Sequence, residues 1–353
     1  MSIYIVSNRD VINGEFRNDG KDHAAKSSFR IAVCEGVTTD RKSKEKKMTY
    51  TMLDDAHPAG YENVIKALKN EVDPKSLMGS EAMFYDLYSQ MLNSDDEKSD
   101  VLFFIHGFAN SFDDELTHIY KLKQLYMAKG SPVKHMVYLS WPTRGNIALT
   151  YWSDQEDARE TGLMLNRLYV KLSGFFTDMF EIHKQKRCRN RIHLAAHSMG
   201  NQVLKYMLMS IPKEKLFPLF GEVLLLHSDV EDDVFEPGEP FTLLEQLSER
   251  THIYINRSDD ALRISHFTKN LNKRLGHKGP KNRDNLNSET FIVDTSELKG
   301  STSLRDRVVD HWLYIDHPSV VKDILEVLKG TDEGTFLWRE AWEEERNYFI
   351  LPD

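Results

Sequence analysis

The segment Ala196-His197-Ser198-Met199-Gly200 sets a serine between two small residues, at a point where an apolar run ends and a helical pattern begins. A sharp strand–turn–helix of this kind lifts the serine hydroxyl clear of the backbone, the geometry of a nucleophile. The usual form has glycine at its first position. Alanine stands there instead, and a small residue is all that the tight geometry demands. The bland alternative is a serine that merely caps a helix. His106-Gly107-Phe108 makes a second candidate, again between an apolar run and a helical pattern. The backbone N–H of Phe108 and that of Met199 are expected to form an oxyanion hole, two donors for the charge on a tetrahedral intermediate. Its alternative is a glycine-containing loop with a capping histidine.

A nucleophilic serine needs a base, and the base needs a carboxylate to orient it, here in the chain order serine, acid, histidine. Acids at strand ends after Ser198 are Asp229, Glu231, Asp232, Asp233, Asp259 and Asp260. Asp259 follows the strand two after the nucleophile strand and is the preferred acid, ahead of Asp229 and then Asp260. The others read as helix caps or turns. Histidines after the acid are His266, His277, His311 and His317. His311, between the last strand and the last helix, is the preferred base, and His317, ahead of Pro318, is its competitor. His197 has no expected catalytic duty, and His106 is expected to orient its own loop.

The elements that must hold these residues alternate. IYIVS (3–7), FRIAVCE (30–36) and MTYTML (48–53) read as strands, and 80–93 as a helix. From VLFFI (101–105) onward, strands at 135–141, 191–197, 222–229, 251–257 and 289–296 alternate with helices. Those helices are expected over about 113–129, 153–185, 199–210, 240–249 and 318–329. Such alternation points to an α/β fold with a mostly parallel central sheet and helices on both faces. Functional groups then gather at the carboxyl ends of the strands, where the candidates fall. We read residues 1–100 as N-terminal strands and helices leading into the sheet, 101–330 as the catalytic core and 331–353 as a C-terminal tail. A lid, if the chain has one, has to come from residues 8–80 or 267–288.

Taken together, these strings resemble a largely bacterial α/β-hydrolase family catalogued as a domain of unknown function. The resemblance rests on IHGFANSFDDE (105–115), on SWP (140–142) with Tyr151 and Asp154, and on LAAHSMGNQV (194–203). SDVEDDVF (228–235), the run from Tyr254 through Asp259 to Gly276, His311 and the SNR of 7–9 also fit. It implies the α/β-hydrolase fold, a Ser198–Asp259–His311 triad and an oxyanion hole at Phe108 and Met199, and it supplies no substrate.

Composition narrows the remaining classes. A formal charge of −9 argues against nucleic acid as the main partner. No apolar run approaches the roughly 20 residues of a membrane helix. No secretory signal is read in MSIYIVSNRD, and Cys34 and Cys188 show neither metal spacing nor a disulfide framework, so a cytoplasmic location is expected. A basic run at Arg41, Lys42, Lys44, Lys46 and Lys47 reads as a solvated turn. A second, at Lys269, Lys273, Arg274, Lys278, Lys281 and Arg283, reads as a solvated loop or as a rim favouring anionic substrates. Aromatic residues of the tail, Phe336, Trp338, Trp342, Tyr348 and Phe349, either pack on the body or form an oligomer or partner contact. The expectation is a serine hydrolase acting on a small-molecule or lipid-like ester or thioester, with no cofactor and no metal. Amide or peptide hydrolysis by the same residues, or a non-catalytic protein on the same scaffold, are the alternatives.

Overall fold

The computed structural model describes residues 1–17, 29–41, 43–54, 61–93, 98–108, 110–143, 151–178, 189–259, 261–262, 273–300, 309–332, 336, 338–341 and 347–353. The fold class is α/β, a large, mostly parallel sheet with helices. The chain divides into two units: Met1–Phe104, Phe108–Ile192 and Ser210–Phe217 in the first, Ile105–Gly107, His193–Met209 and Pro218–Asp353 in the second.

In the first unit, β1 (Ser2–Ser7) lies antiparallel to β2 (Arg30–Thr39), which in turn pairs antiparallel with β3 (Lys46–Met52). All six residues of β4 (Asp100–Ile105) are buried, as an unbroken apolar run predicts. β5 (Val133–Ser140) runs parallel to β1, in register from Ser2 opposite His135 to Ser7 opposite Ser140. The helices are α1 (Glu62–Leu68), α2 (Gly79–Leu92), α3 (Phe112–Tyr126) and α4 (Tyr151–Thr177). α3 begins at a capping box: Ser111 Oγ accepts from the Asp114 N–H, and Asp114 accepts from the Ser111 N–H. The last residues of the helix expected over 153–185 lie outside the described residues. Of the first basic run, Lys46 and Lys47 fall on β3, where Lys47 pairs with Asp113 at 2.9 Å. The SNR string leads off β1 into the interior, where Arg9 donates to Glu115 (2.6 Å) and to Ser140 Oγ (3.1 Å).

In the second unit, β6 (Ile192–His197), β7 (Phe220–Leu226), β8 (Ser248–Ile255) and β9 (Thr290–Asp294) lie side by side. The pairs β7–β8 and β8–β9 are parallel. α5 (Gly200–Ser210) follows β6, and α6 (Pro318–Leu328) starts with proline at its first turn. Two expectations need correction. The helix over 240–249 is a 3-10 turn, Pro240–Leu243, and one α turn, Leu244–Leu247. Ser248 is already the first residue of β8, and its hydroxyl turns back to the Leu244 carbonyl (2.8 Å), closing the helix. The tail also carries strands that sequence reading did not anticipate. β10 (Glu340–Ala341) pairs antiparallel with β11 (Tyr348–Ile350), which adds in parallel to β9. Segments of two and three residues are too short for any periodicity to show. The same stretch is fastened by Arg339 on Asp323 (2.6 Å), and Tyr348 hydrogen-bonds Asp294.

Candidate active site

Ser198 has φ +51°, a left-handed conformation that costs a non-glycine residue strain and that a nucleophile elbow requires. The surrounding chain enforces it. The Ser198 N–H donates to the Leu226 carbonyl (2.9 Å), and its own carbonyl accepts from the Asp229 N–H (3.1 Å). Asn201 Nδ2 donates to the carbonyls of both Ala196 (2.9 Å) and Ser198 (3.1 Å). Two glycines, Gly200 after the turn and Gly107 on the loop packed against it, leave no room for a side chain. A Cβ on Gly200 would stand 2.6 Å from the His106 carbonyl oxygen, and one on Gly107 would stand 2.9 Å from Ser198 Cβ. The Met199 N–H belongs to the first turn leading into α5, among the amides that a helix leaves without an internal acceptor. His106 is buried and its Nδ1–H donates to the Gly107 carbonyl (2.5 Å), which fixes the plane of the peptide that carries the Phe108 N–H.

Asp259 and His311 meet. His311 sits on a 3-10 turn, Val309–Trp312, ahead of α6, and its Nδ1–H donates to Asp259 Oδ2 at 2.6 Å. That bond leaves the lone pair of His311 on Nε2, the atom a general base uses. Among the described residues no hydrogen bond from the Ser198 hydroxyl is recorded; such links often close only when substrate binds. Asp259 is fully buried. Burial alone would raise its carboxyl pKa, but the His311 charge and the hydrogen bonds from His227 and His311 hold it well below the usual carboxylate range. His197 also serves this corner. Its Nε2–H donates to the His311 carbonyl (3.0 Å), and its ring packs 4.7 Å from that of His311, so it holds the segment that carries His311.

The competing candidates are occupied elsewhere. Asp229 forms an ion pair with Arg274 (3.1 Å). His317 caps α6 by accepting from the Ser319 N–H (3.3 Å), and its other nitrogen faces Asp353. His277 donates to the Arg257 carbonyl (2.9 Å). Asp260, His266 and Lys269 lie outside the described residues. Arg274 corrects the reading of the second basic run, because it is neither solvated nor a rim but 1 % exposed between Asp229 and Glu231. Its neighbours explain why: Leu275 and Gly276 bond to Val230 and Ser228, so the segment 274–276 packs directly on the turn after β7.

One residue escaped sequence reading. His227, at the end of β7, donates from Nδ1 to the same Asp259 Oδ2 at 3.1 Å. A histidine near a strand's carboxyl end was the available signal, but the candidates were drawn only from histidines that follow the acid in the chain. His227, Asp259 and His311 each bring one donor atom within 4.8 Å of the other two, a spacing that a metal cage also shows. Donor atoms around a tetrahedral zinc stand roughly 3.3 Å apart, given bonds near 2.0 Å. The 2.6 Å between His311 and Asp259 is shorter than that and suits an N–H donated to a carboxylate. No helix among the described residues is long and apolar enough to cross a membrane.

A mostly parallel α/β sheet with a strained serine between strand and helix, and an Asp–His pair from later strand ends, defines the α/β-hydrolase class. The chain belongs to the family described as alpha/beta hydrolase of unknown function (DUF900), whose model matches residues 83–328, well over half of its length. No curated protein and no solved structure matches it.

Proposed function

We propose that the chain is a serine hydrolase that cleaves an ester or thioester through an acyl-enzyme on Ser198. His311 Nε2 takes the hydroxyl proton as Ser198 attacks the carbonyl carbon, and the N–H groups of Phe108 and Met199 receive the oxyanion. His311 then returns the proton to the leaving oxygen or sulfur. Water, deprotonated by the same nitrogen, attacks the acyl-enzyme and frees Ser198. Asp259 keeps the Nδ1–H tautomer and balances the imidazolium, without itself accepting the proton. The observation that carries this reading is the 2.6 Å bond from His311 Nδ1 to Asp259. The substrate class is a small-molecule or lipid-like acyl compound. The scarcity of cysteine, with Cys34 a free thiol, supports placing the enzyme in a reducing cytoplasm.

The test is labelling with a fluorophosphonate, with the modified residue read by mass spectrometry, beside turnover of a panel of esters, thioesters and amides. The wild type should label at Ser198 and turn over esters or thioesters, and Ser198→Ala should do neither while keeping its circular dichroism spectrum. Undiminished labelling in the variant would remove the assignment, and turnover confined to amides would redirect it to amide bonds.

A further inference from the structure

Asp259 holds two histidines, and the mechanism above employs one. Its Oδ1 accepts the backbone N–H groups of Ala261 (3.0 Å) and Leu262 (3.2 Å), while its Oδ2 accepts His311 (2.6 Å) and His227 (3.1 Å). Those four donors fill the lone-pair sites of a carboxylate. Because the oxygen can only accept, His227 carries its proton on Nδ1, as His311 does.

The backbone is bent to put His227 there. The residue is 1 % exposed and has φ +43°, which is rare without a glycine and costs about 1–2 kcal/mol. Such strain persists only where the surroundings over-determine it. Here they do. The His227 N–H donates to the Tyr254 carbonyl (3.1 Å), and Gly276 lies so close that a Cβ on it would stand 2.3 Å from the His227 carbonyl carbon. A core histidine kept only for packing has no need of a strained backbone. This one is strained, and it bonds the very oxygen that orients the base.

We propose that His227 is a positioning residue for the base, acting through Asp259: it fixes Oδ2 so that the carboxylate cannot pivot away from His311. This rests on the triad reading given above. With His227 in place, the Asp259 carboxylate is held at both oxygens before substrate arrives. Without it, His311 has to hold the oxygen that is meant to hold His311. The loss falls on the chemical step, since His227 acts on the base and has no part in binding substrate.

Two variants test the idea. His227→Gly accepts the positive φ without strain and removes the donor. His227→Asn also tolerates that backbone and carries an amide nitrogen where the imidazole carries Nδ1. H227G should lower kcat roughly 10- to 100-fold, the cost of a misplaced catalytic group, with KM unchanged within about twofold. H227N should recover most of that loss. Wild-type kcat in H227G, or equal losses in both variants with KM raised, would overturn the proposal in favour of plain packing. A second readout needs neither substrate nor a His227 variant. Protein with 15N-labelled histidine should show, beside the N–H that His252 directs at Glu222, two downfield N–H protons that Asp259→Asn displaces; a single displaced signal would also overturn it. Loss of the Ser198 assignment would leave those two signals in place, so the two failures are distinguishable.

Discussion

Each unit buries a carboxyl group beside nitrogen donors, and the two are shifted in opposite directions. In the first unit, burial pushes Glu115 up to about 7 against the opposing pull of Arg9 and Ser140. In the second, burial pushes Asp259 the same way, and the imidazoles of His311 and His227 outweigh it. Glu222 is a further case in the second unit. Burial raises it too, yet His252 (3.1 Å) and Arg250 (2.8 Å) bring it down to about 2. The difference teaches that depth alone does not decide the charge. What decides is how many donors converge on the oxygens. The Arg9–Glu115 pair is a structural tie, since neither residue stands at a strand end with a nucleophile. Asp259 stays ionised across the range in which a histidine works as a base.

The strongest way to break this contrast is to neutralise Asp259. Asp259→Asn should lower kcat about 10⁴-fold, the scale seen when a triad acid is replaced, while Asp229→Asn stays within a few-fold because Asp229 serves Arg274. The reverse ranking in steady-state kinetics would move the orienting acid to Asp229.

Next in size is the tie in the first unit. Glu115→Ala leaves a buried guanidinium that cannot shed its charge and should cost about 3–5 kcal/mol. Arg9→Met leaves a carboxyl that takes up a proton near neutrality, so it should cost less. Urea midpoints of the two variants measure this; the opposite order would mean that Glu115 is held ionised, and the contrast with Asp259 would collapse.

The smallest effect sharpens the comparison through pH. Glu115 binds its proton more tightly folded, at about 7, than at its ordinary 4.5, so its contribution to stability is complete below 4.5 and lost as pH rises through 7. The change is on the order of 3 kcal/mol. Asp259 has the opposite sign: its contribution is present above its ordinary 3.8 and fades only in stronger acid, so it adds nothing in that window. Urea unfolding at pH 5 and pH 8 should therefore show wild type losing stability and Glu115→Gln losing much less. Equal slopes in the two proteins would contradict the assignment.

Much of the site was legible because its signals are local. Ala196, Ser198 and Gly200 announce a sharp turn through side-chain size alone, and the buried run of β4 announces a strand covered on both faces. Gly200 was legible for the same steric reason, whereas the close approach of Gly107 to Ser198 was not. Arg274 was misread because its charge suggests solvent, and nothing in the neighbouring Lys273 or Lys278 reveals that it pairs with Asp229 and Glu231. β10 and β11 were missed because strands so short are defined by the edge they join.

The α/β alternation and the sharp strand–turn–helix at Ser198 could be read from the residues alone. Each of these follows from steric and apolar preferences acting over a few neighbouring residues. Only the tertiary structure decided which carboxylate His311 reaches, 52 residues away, and that His227 reaches it too across 32. Those choices depend on a hydrogen bond closing between strand ends. Distance along the chain carries no information about that, because the packing of the strands between sets where each end stops.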